Sequence, residues 1–200
     1  FNSWFSITKR GDMTEIIALI PARMGSSRFP GKPLAKLLGK PMIGHVYKRI
    51  AENTMLSLVA VATCDYEIAE YIESFGGRVV MTSDRHERAS DRCAEALEIL
   101  EKKEEKRFDI VVMVQGDEPM THPKMITEAV QPMLSDPDVK VINLMAEIES
   151  LEEFEDPNCI KVVTDFKGNA LYFSREAIPT LSRTSYAPRQ KQVCVIPFRR

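Results

Sequence analysis

The sequence predicts an α/β fold built on a mostly parallel sheet, and three features of the chain carry that reading. Apolar runs of strand length recur at residues 16–20, 57–63, 78–82 and 109–114, and β-branched isoleucine dominates the first. The first run does not alternate apolar with polar residues, so it suits a strand covered on both faces. Between the runs, apolar residues fall at helical spacing: Ile68, Ile72 and Phe75 on one stretch, Cys93, Leu97 and Leu100 on the next. Strand, helix, strand at this spacing makes parallel pairs with right-handed crossovers.

With 200 residues, 44% hydrophobic and 28% charged, the chain is long enough for one sizeable domain with a substantial core. A formal net charge of −2 gives no general attraction to nucleic acid, so a polyanionic ligand has to be held by local cations. Cys64, Cys93, Cys159 and Cys194 are widely spaced without a C-x-x-C pair. That argues against a zinc site or a disulfide framework and for free thiols in a reducing cytoplasm. No run approaches the roughly 18 apolar residues of a membrane span. Residues 1–12 lack the apolar core of a signal peptide, and strand-like sequence begins only after Met13. They read as an N-terminal extension to a single domain over residues 13–200.

The first strand runs into a segment that is not core. Arg23, Gly25, Ser26, Ser27, Arg28, Gly31 and Lys32 place small residues, which expose backbone N–H groups, among cations. Such a loop suits a triphosphate, whose oxygens accept from the amides while Arg and Lys neutralise its charge. It is not a Walker A loop, because Pro33 follows the lysine where Ser or Thr is required. A Gly/Pro-rich surface turn with solvated cations is the alternative. A helix is expected from Pro41 at its first position, with Met42, Ile43, Val46 and Ile50 on one face. His45 on that helix reads as a packing or capping residue.

The next helix, residues 66–75, ends at Gly76-Gly77. The polar stretch at residues 82–92 lies beyond a strand end, where α/β sheets bind ligands; it reads equally as a solvated loop with Ser90 or Asp91 as helix cap. The run at residues 109–114 leads into Gln115-Gly116-Asp117-Glu118-Pro119. A carboxylate there, facing a phosphate loop, is placed to hold Mg²⁺ against a triphosphate; the alternative is an ordinary turn with Asp117 capping the next element. Residues 123–134 form a helix in which Pro132 bends the last turn, and residues 139–148 return as one strand. Turn residues around 156–158 and 167–169 frame a β-hairpin of strands at residues 159–164 and 170–174.

Four segments resemble one family. Pro21-Ala22-Arg23-x-Gly25-Ser26-x-Arg28-x-Pro30-Gly31-Lys32-Pro33-Leu34 and Val114-Gln115-Gly116-Asp117-Glu118-Pro119 are similar to signatures of the cytidylyltransferases that activate 3-deoxy-manno-octulosonate (KDO), a sugar acid of bacterial lipopolysaccharide. So are Asp156-Pro157-Asn158-x-Ile160-Lys161-Val162-Val163 and Ala170-Leu171-Tyr172-Phe173-Ser174-Arg175-x-x-Ile178-Pro179. The resemblance implies a Rossmann-like nucleotidyltransferase fold whose hairpin region packs against a second subunit, so a homodimer is expected. The reaction it implies is CTP plus a KDO-type ulosonic acid giving the CMP-sugar and pyrophosphate.

In that reading Arg23, Arg28, Lys32 and Asp117 are catalytic, and Asp117 is a ligand of the Mg²⁺ cofactor. Ala22, Arg23, Gly25, Ser26, Ser27, Arg28, Lys32, His86 and Arg92 bind the nucleotide; Gln115, Arg175 and Gln192 bind the sugar acid. The family continues several tens of residues past the position of Arg200, and a second magnesium aspartate is expected there. Two departures stand out. Arg88, Ala89 and Ser90 replace the family's Ser, Gly and Thr, and Gln192 and Ile196 stand where it carries His and Tyr. These changes point to a modified sugar, such as the 8-amino-8-deoxy analogue of KDO.

Overall fold

The computed structural model describes residues 14–25, 29–180 and 188–200; the extension over residues 1–12 and the loop positions Ser26, Ser27 and Arg28 lie outside them. In chain order come β1 (Ile16–Pro21), a 3-10 turn (Lys32–Leu34), β2 (Lys36–Leu37), β3 (Lys40–Pro41), α1 (Met42–Ala51), β4 (Leu58–Thr63), α2 (Tyr66–Glu73) and β5 (Val79–Met81). Then come α3 (Ala89–Glu104), β6 (Ile110–Val114), α4 (Pro123–Ser135), β7 (Leu144–Glu147), α5 (Leu151–Glu155), β8 (Lys161–Thr164), β9 (Ala170–Ser174), β10 (Gln190–Val193) and β11 (Val195–Arg199).

The main sheet has the order β11-β6-β1-β4-β5. Strands β6, β1, β4 and β5 are parallel, as the apolar runs predict, and β11 pairs antiparallel with β6 at the edge. Alternate residues of β1 serve opposite cores. Ile16, Ala18 and Ile20 pack with Ile43, Val46, Ile68, Ile72, Ile126 and Val130 of α1, α2 and α4. Ile17 and Leu19 face Cys93, Ala96, Leu97 and Leu100 of α3. This two-sided covering is why β1 reads as an unbroken apolar run. No helix among the described residues is long and apolar enough to cross a membrane. The four cysteines are free, and burial pushes the Cys93 thiol up to about 12, so it stays protonated.

Local corrections have local causes. Pro41 is the cap of α1 rather than its first residue, because it still pairs with Lys36 across the β2–β3 hairpin. The cap of α3 is Arg88, without a side-chain bond, and Ser90 and Asp91 lie inside the first turn. The run at residues 139–148 is not one strand. Its first part borders β11, through Ile142 N–H to the Pro197 carbonyl and a bridge between Val141 and Phe198, while β7 joins a second sheet of order β7-β10-β8-β9. The β8–β9 hairpin forms as expected.

Lys161, at the start of β8, is fully buried. Its ammonium donates to the carbonyls of Asp156 (2.8 Å), Cys159 (2.7 Å) and Arg175 (2.5 Å), closing the base of the hairpin. Replacing it with methionine keeps the apolar stem and removes the ammonium from three part-buried carbonyls that it bridges. Lys161→Met is therefore expected to lose at least about 2 kcal/mol in urea unfolding. A variant as stable as the parent would show that the ammonium does not hold the hairpin.

Candidate active site

Two strand ends meet to make the site. β1 and β6 are neighbours, so the segments that leave their carboxyl ends emerge side by side. The loop after β1 is pinned at both ends: the Met24 amide donates to Asp65 Oδ2 (2.7 Å), and the Gly31 amide to the Met24 carbonyl (3.0 Å). Gly31 has φ +75°, a conformation side chains disfavour, so the loop can turn there into the 3-10 segment that carries Lys32. Gly116 serves by absence of a side chain. A Cβ on it would lie 2.9 Å from Ile43 Cδ1 and 3.0 Å from the Pro21 carbonyl oxygen, so only glycine lets the Gln115–Asp117 turn close against β1.

The result is a cleft of about 420 Å³ whose lining includes Arg23, Lys32, His86, Arg88, Gln115 and Asp117. Lys32 Nζ stands 2.6 Å from Asp117 Oδ2, and both side chains are partly open to solvent at 33% and 40%. Beside them the Glu118 carboxyl is held above the usual carboxylate range, by desolvation first and then by the Asp117 charge. Desolvation, helped by Glu118 and Asp117, pushes the Cys194 thiol up to about 11. Asp117 thus brings negative charge to the cleft opposite the Arg23 and Lys32 side chains.

The other wall comes from the connection between β5 and α3. Glu95 of α3 accepts from the Ser83 amide (2.8 Å) and from His86 Nε2 (2.5 Å). Arg92 is only 3% exposed; its guanidinium donates to the Thr82 hydroxyl (2.5 Å) and the His86 carbonyl (3.5 Å).

Of the residues expected from the sequence, Ala22, Arg23, Lys32, His86, Arg92, Gln115 and Asp117 come together around this cleft. Gly25 is exposed and outside its lining. Ser26, Ser27 and Arg28 lie outside the described residues. Two others stand apart from the cleft lining: Arg175 donates to the Pro157 carbonyl (2.8 Å) on the hairpin, and the Gln192 amide donates to Asn143 Oδ1 (2.6 Å) in the second sheet. Asp117 is engaged by Lys32 and does not cap α4; His122 does, accepting from the Lys124 amide at 3.2 Å. Asp65 and Glu95 were not singled out by sequence reasoning. Asp65 had a readable signal, since like Asp117 it is a carboxylate just past a buried strand, whereas Glu95 lies mid-helix and looks like any solvated acid.

Among the described residues no three His, Cys, Asp or Glu side chains cluster as a preformed metal cage. The donor set suits Mg²⁺, which takes one or two protein carboxylates and completes its shell with phosphate oxygens and water. The Lys32 ammonium, a cation resting on Asp117, marks where such a charge is welcome.

Parallel strand ends, a cationic loop and a carboxylate facing it define an α/β protein of nucleotidyltransferase fold. The sequence profile of the family described as cytidylyltransferase matches residues 17–200, and the chain belongs to that family. Among relatives, the 3-deoxy-manno-octulosonate cytidylyltransferase of Geobacter metallireducens is 49% identical over 165 residues, covering 82% of this chain and 63% of the relative. That of Syntrophus aciditrophicus is 48% identical over 167 residues, covering 84% and 66%. The chain thus spans just under two thirds of the length of these relatives. A solved CMP:2-keto-3-deoxy-manno-octonic acid synthetase complexed with CTP superposes with a TM-score of 0.81 at 38% identity, covering 93% of this chain and 74% of that one. The 4-diphosphocytidyl-2C-methyl-D-erythritol synthase of Anaerococcus prevotii, at 11% identity and TM-score 0.56, shares the fold.

The Glu95 contacts generate a pH signature. The Ser83 amide, more than the His86 ring, holds the Glu95 carboxyl below its ordinary value of 4.5, against an opposing effect of burial. A depressed folded value means stability that is complete above about pH 4.5 and lost as the pH falls through the lower folded value. Glu95→Gln is expected to melt below the parent at neutral pH, with the gap narrowing in acid. A gap independent of pH would show that the Glu95 charge does not secure this wall.

Proposed function

We propose that the protein is a cytidylyltransferase that activates a KDO-type ulosonic acid with CTP, releasing pyrophosphate, in the cytoplasmic supply of sugar for lipopolysaccharide. The observation that carries this reading is the meeting of Lys32, Asp117 and Gln115 at one cleft, each delivered by a segment of the family signature.

The sugar's anomeric hydroxyl attacks the α-phosphorus of CTP in line. One O–P bond forms, the bond to the β-phosphate oxygen breaks, and the hydroxyl proton is lost to solvent. Little covalent work falls to the protein, so its contribution is positioning and charge. Arg23 and Lys32, with Arg28 and the Gly25, Ser26 and Ser27 amides, hold the phosphates, and Gln115 orients the sugar acid. Asp117 holds Mg²⁺, which when bound supplies a Lewis acid for the α-phosphate. The Gln192 side-chain amide gives one N–H to Asn143 Oδ1, which leaves its second N–H and its carbonyl oxygen for a sugar hydroxyl. Competing KDO against its 8-amino analogue decides between the two sugars.

Pyrophosphate release in the presence of KDO is expected with CTP and not with ATP, GTP or UTP. Lys32→Ala should lower kcat/KM by about 2–4 kcal/mol, the scale of one preorganised donor. Its melting temperature should hardly move, since a partly exposed ion pair is worth at most about 1 kcal/mol. Asp117→Asn should abolish turnover with the fold intact. Full activity in either variant at saturating Mg²⁺ would remove that residue from the mechanism.

We also infer a homodimer. β9 is an edge strand of the second sheet, and Leu171, Tyr172 and Phe173 on it are 66%, 63% and 40% exposed. An exposed apolar edge invites pairing with a second copy. Sedimentation at micromolar concentration is expected to give twice the monomer mass, and Tyr172→Lys to shift it towards monomer; a monomeric parent would sink the inference.

A further inference from the structure

The basic side chains of the cleft are not equally available to a ligand. Arg92 is buried with its guanidinium committed to Thr82 and His86, His86 is tied to Glu95, and Lys32 to Asp117. Arg23 and Arg88 also line the cleft and are exposed, and neither side chain has a hydrogen-bond or ion-pair partner among the described residues. Arg88 is the cap residue of α3, and its side chain makes no capping bond. It is therefore a guanidinium in the cleft with no structural task among the described residues.

We propose that Arg88 is a substrate-contacting residue that binds the phosphate chain of the nucleotide, while Arg92 is a positioning residue that fixes the segment carrying it. The inference rests on the proposed use of CTP. A guanidinium offers a planar fork of donors matched to phosphate oxygens, and a solvated one has no internal contact to give up on binding. Ala89, at the start of the sixteen-residue α3, also lines the cleft, so the first-turn amides add positive potential on the same side. The most highly charged part of the substrate gains most from that combination. Arg92 cannot serve the same end without releasing Thr82 and the His86 carbonyl, which hold the wall in place.

The test is equilibrium binding of CTP, inorganic tripolyphosphate and cytidine to the parent protein, Arg88→Gln and Arg88→Lys, with KM for CTP and for KDO measured alongside. Arg88→Gln is expected to weaken CTP and tripolyphosphate by roughly tenfold or more, the scale of a charge-assisted hydrogen bond to phosphate. Cytidine affinity should be unchanged, and Arg88→Lys should recover part of the loss. Equal weakening of cytidine would make Arg88 structural and overturn the proposal. A rise confined to the KM for KDO would assign it to the sugar carboxylate, and no change in any ligand would leave it without a role; both overturn it. A parent that binds tripolyphosphate through Arg88 yet turns over no KDO would sink the proposed reaction and leave this assignment standing.

Discussion

Lys32 and Asp117 lie 85 positions apart in the chain, yet their charged atoms are 2.6 Å from each other. That contact depends on β1 and β6 being hydrogen-bonded neighbours, on Gly31 turning the loop after β1, and on Gly116 letting the turn after β6 close in. It also sets the terms on which ligands enter. Each partner suits a ligand of the other's sign, the ammonium a phosphate and the carboxylate a cation. A metal–triphosphate complex brings both charges at once, so the exchange conserves charge pairing, whereas a divalent cation alone must displace the ammonium. Under the proposed chemistry, nucleotide and metal therefore favour each other's binding. The pair is open enough to solvent that the exchange costs little.

The wall formed by residues 82–92 follows a different logic, with charge used for construction. Arg92 is buried because Thr82 and the His86 carbonyl satisfy its donors, and His86 is oriented by Glu95. A wall held by polar bonds keeps its shape without apolar side chains. The hydrophobic contribution comes from further down α3, where Cys93, Leu97 and Leu100 bury against β1 and β4.

Much of this was legible because buried parallel strands announce themselves as unbroken apolar runs; β1, β4 and β6 fall within a residue or so of the expected bounds. β11 was not legible. It carries Pro197 and ends in Arg199, and an antiparallel edge strand needs no such run. In residues 139–148 the apolar pattern was visible but the change of sheet was not, since periodicity reports a face and never the partner. For the site, motif wording located Lys32, Gln115 and Asp117, but the Lys32–Asp117 contact comes from strand order. The burial of Arg92 and Lys161 was hidden for a related reason. Whether a cation is solvated or enclosed depends on how the backbone turns acceptors towards it, here Thr82 for one and the Asp156, Cys159 and Arg175 carbonyls for the other.

The chain crosses between its two larger sheets twice at nearly the same place. Residues 139–147 pass from the border of β11 into β7, and β10 passes into β11 through Cys194 alone. β7 and β10 are themselves paired, so the two crossings are laced together, and the Gln115 amide reaches the Cys194 carbonyl (3.4 Å) at that junction. One crossing would act as a hinge about which the second sheet could swing; two side by side remove that freedom, as a second bolt does for a bracket. The turn that holds Asp117 is thereby tied to the second sheet as well as to β6.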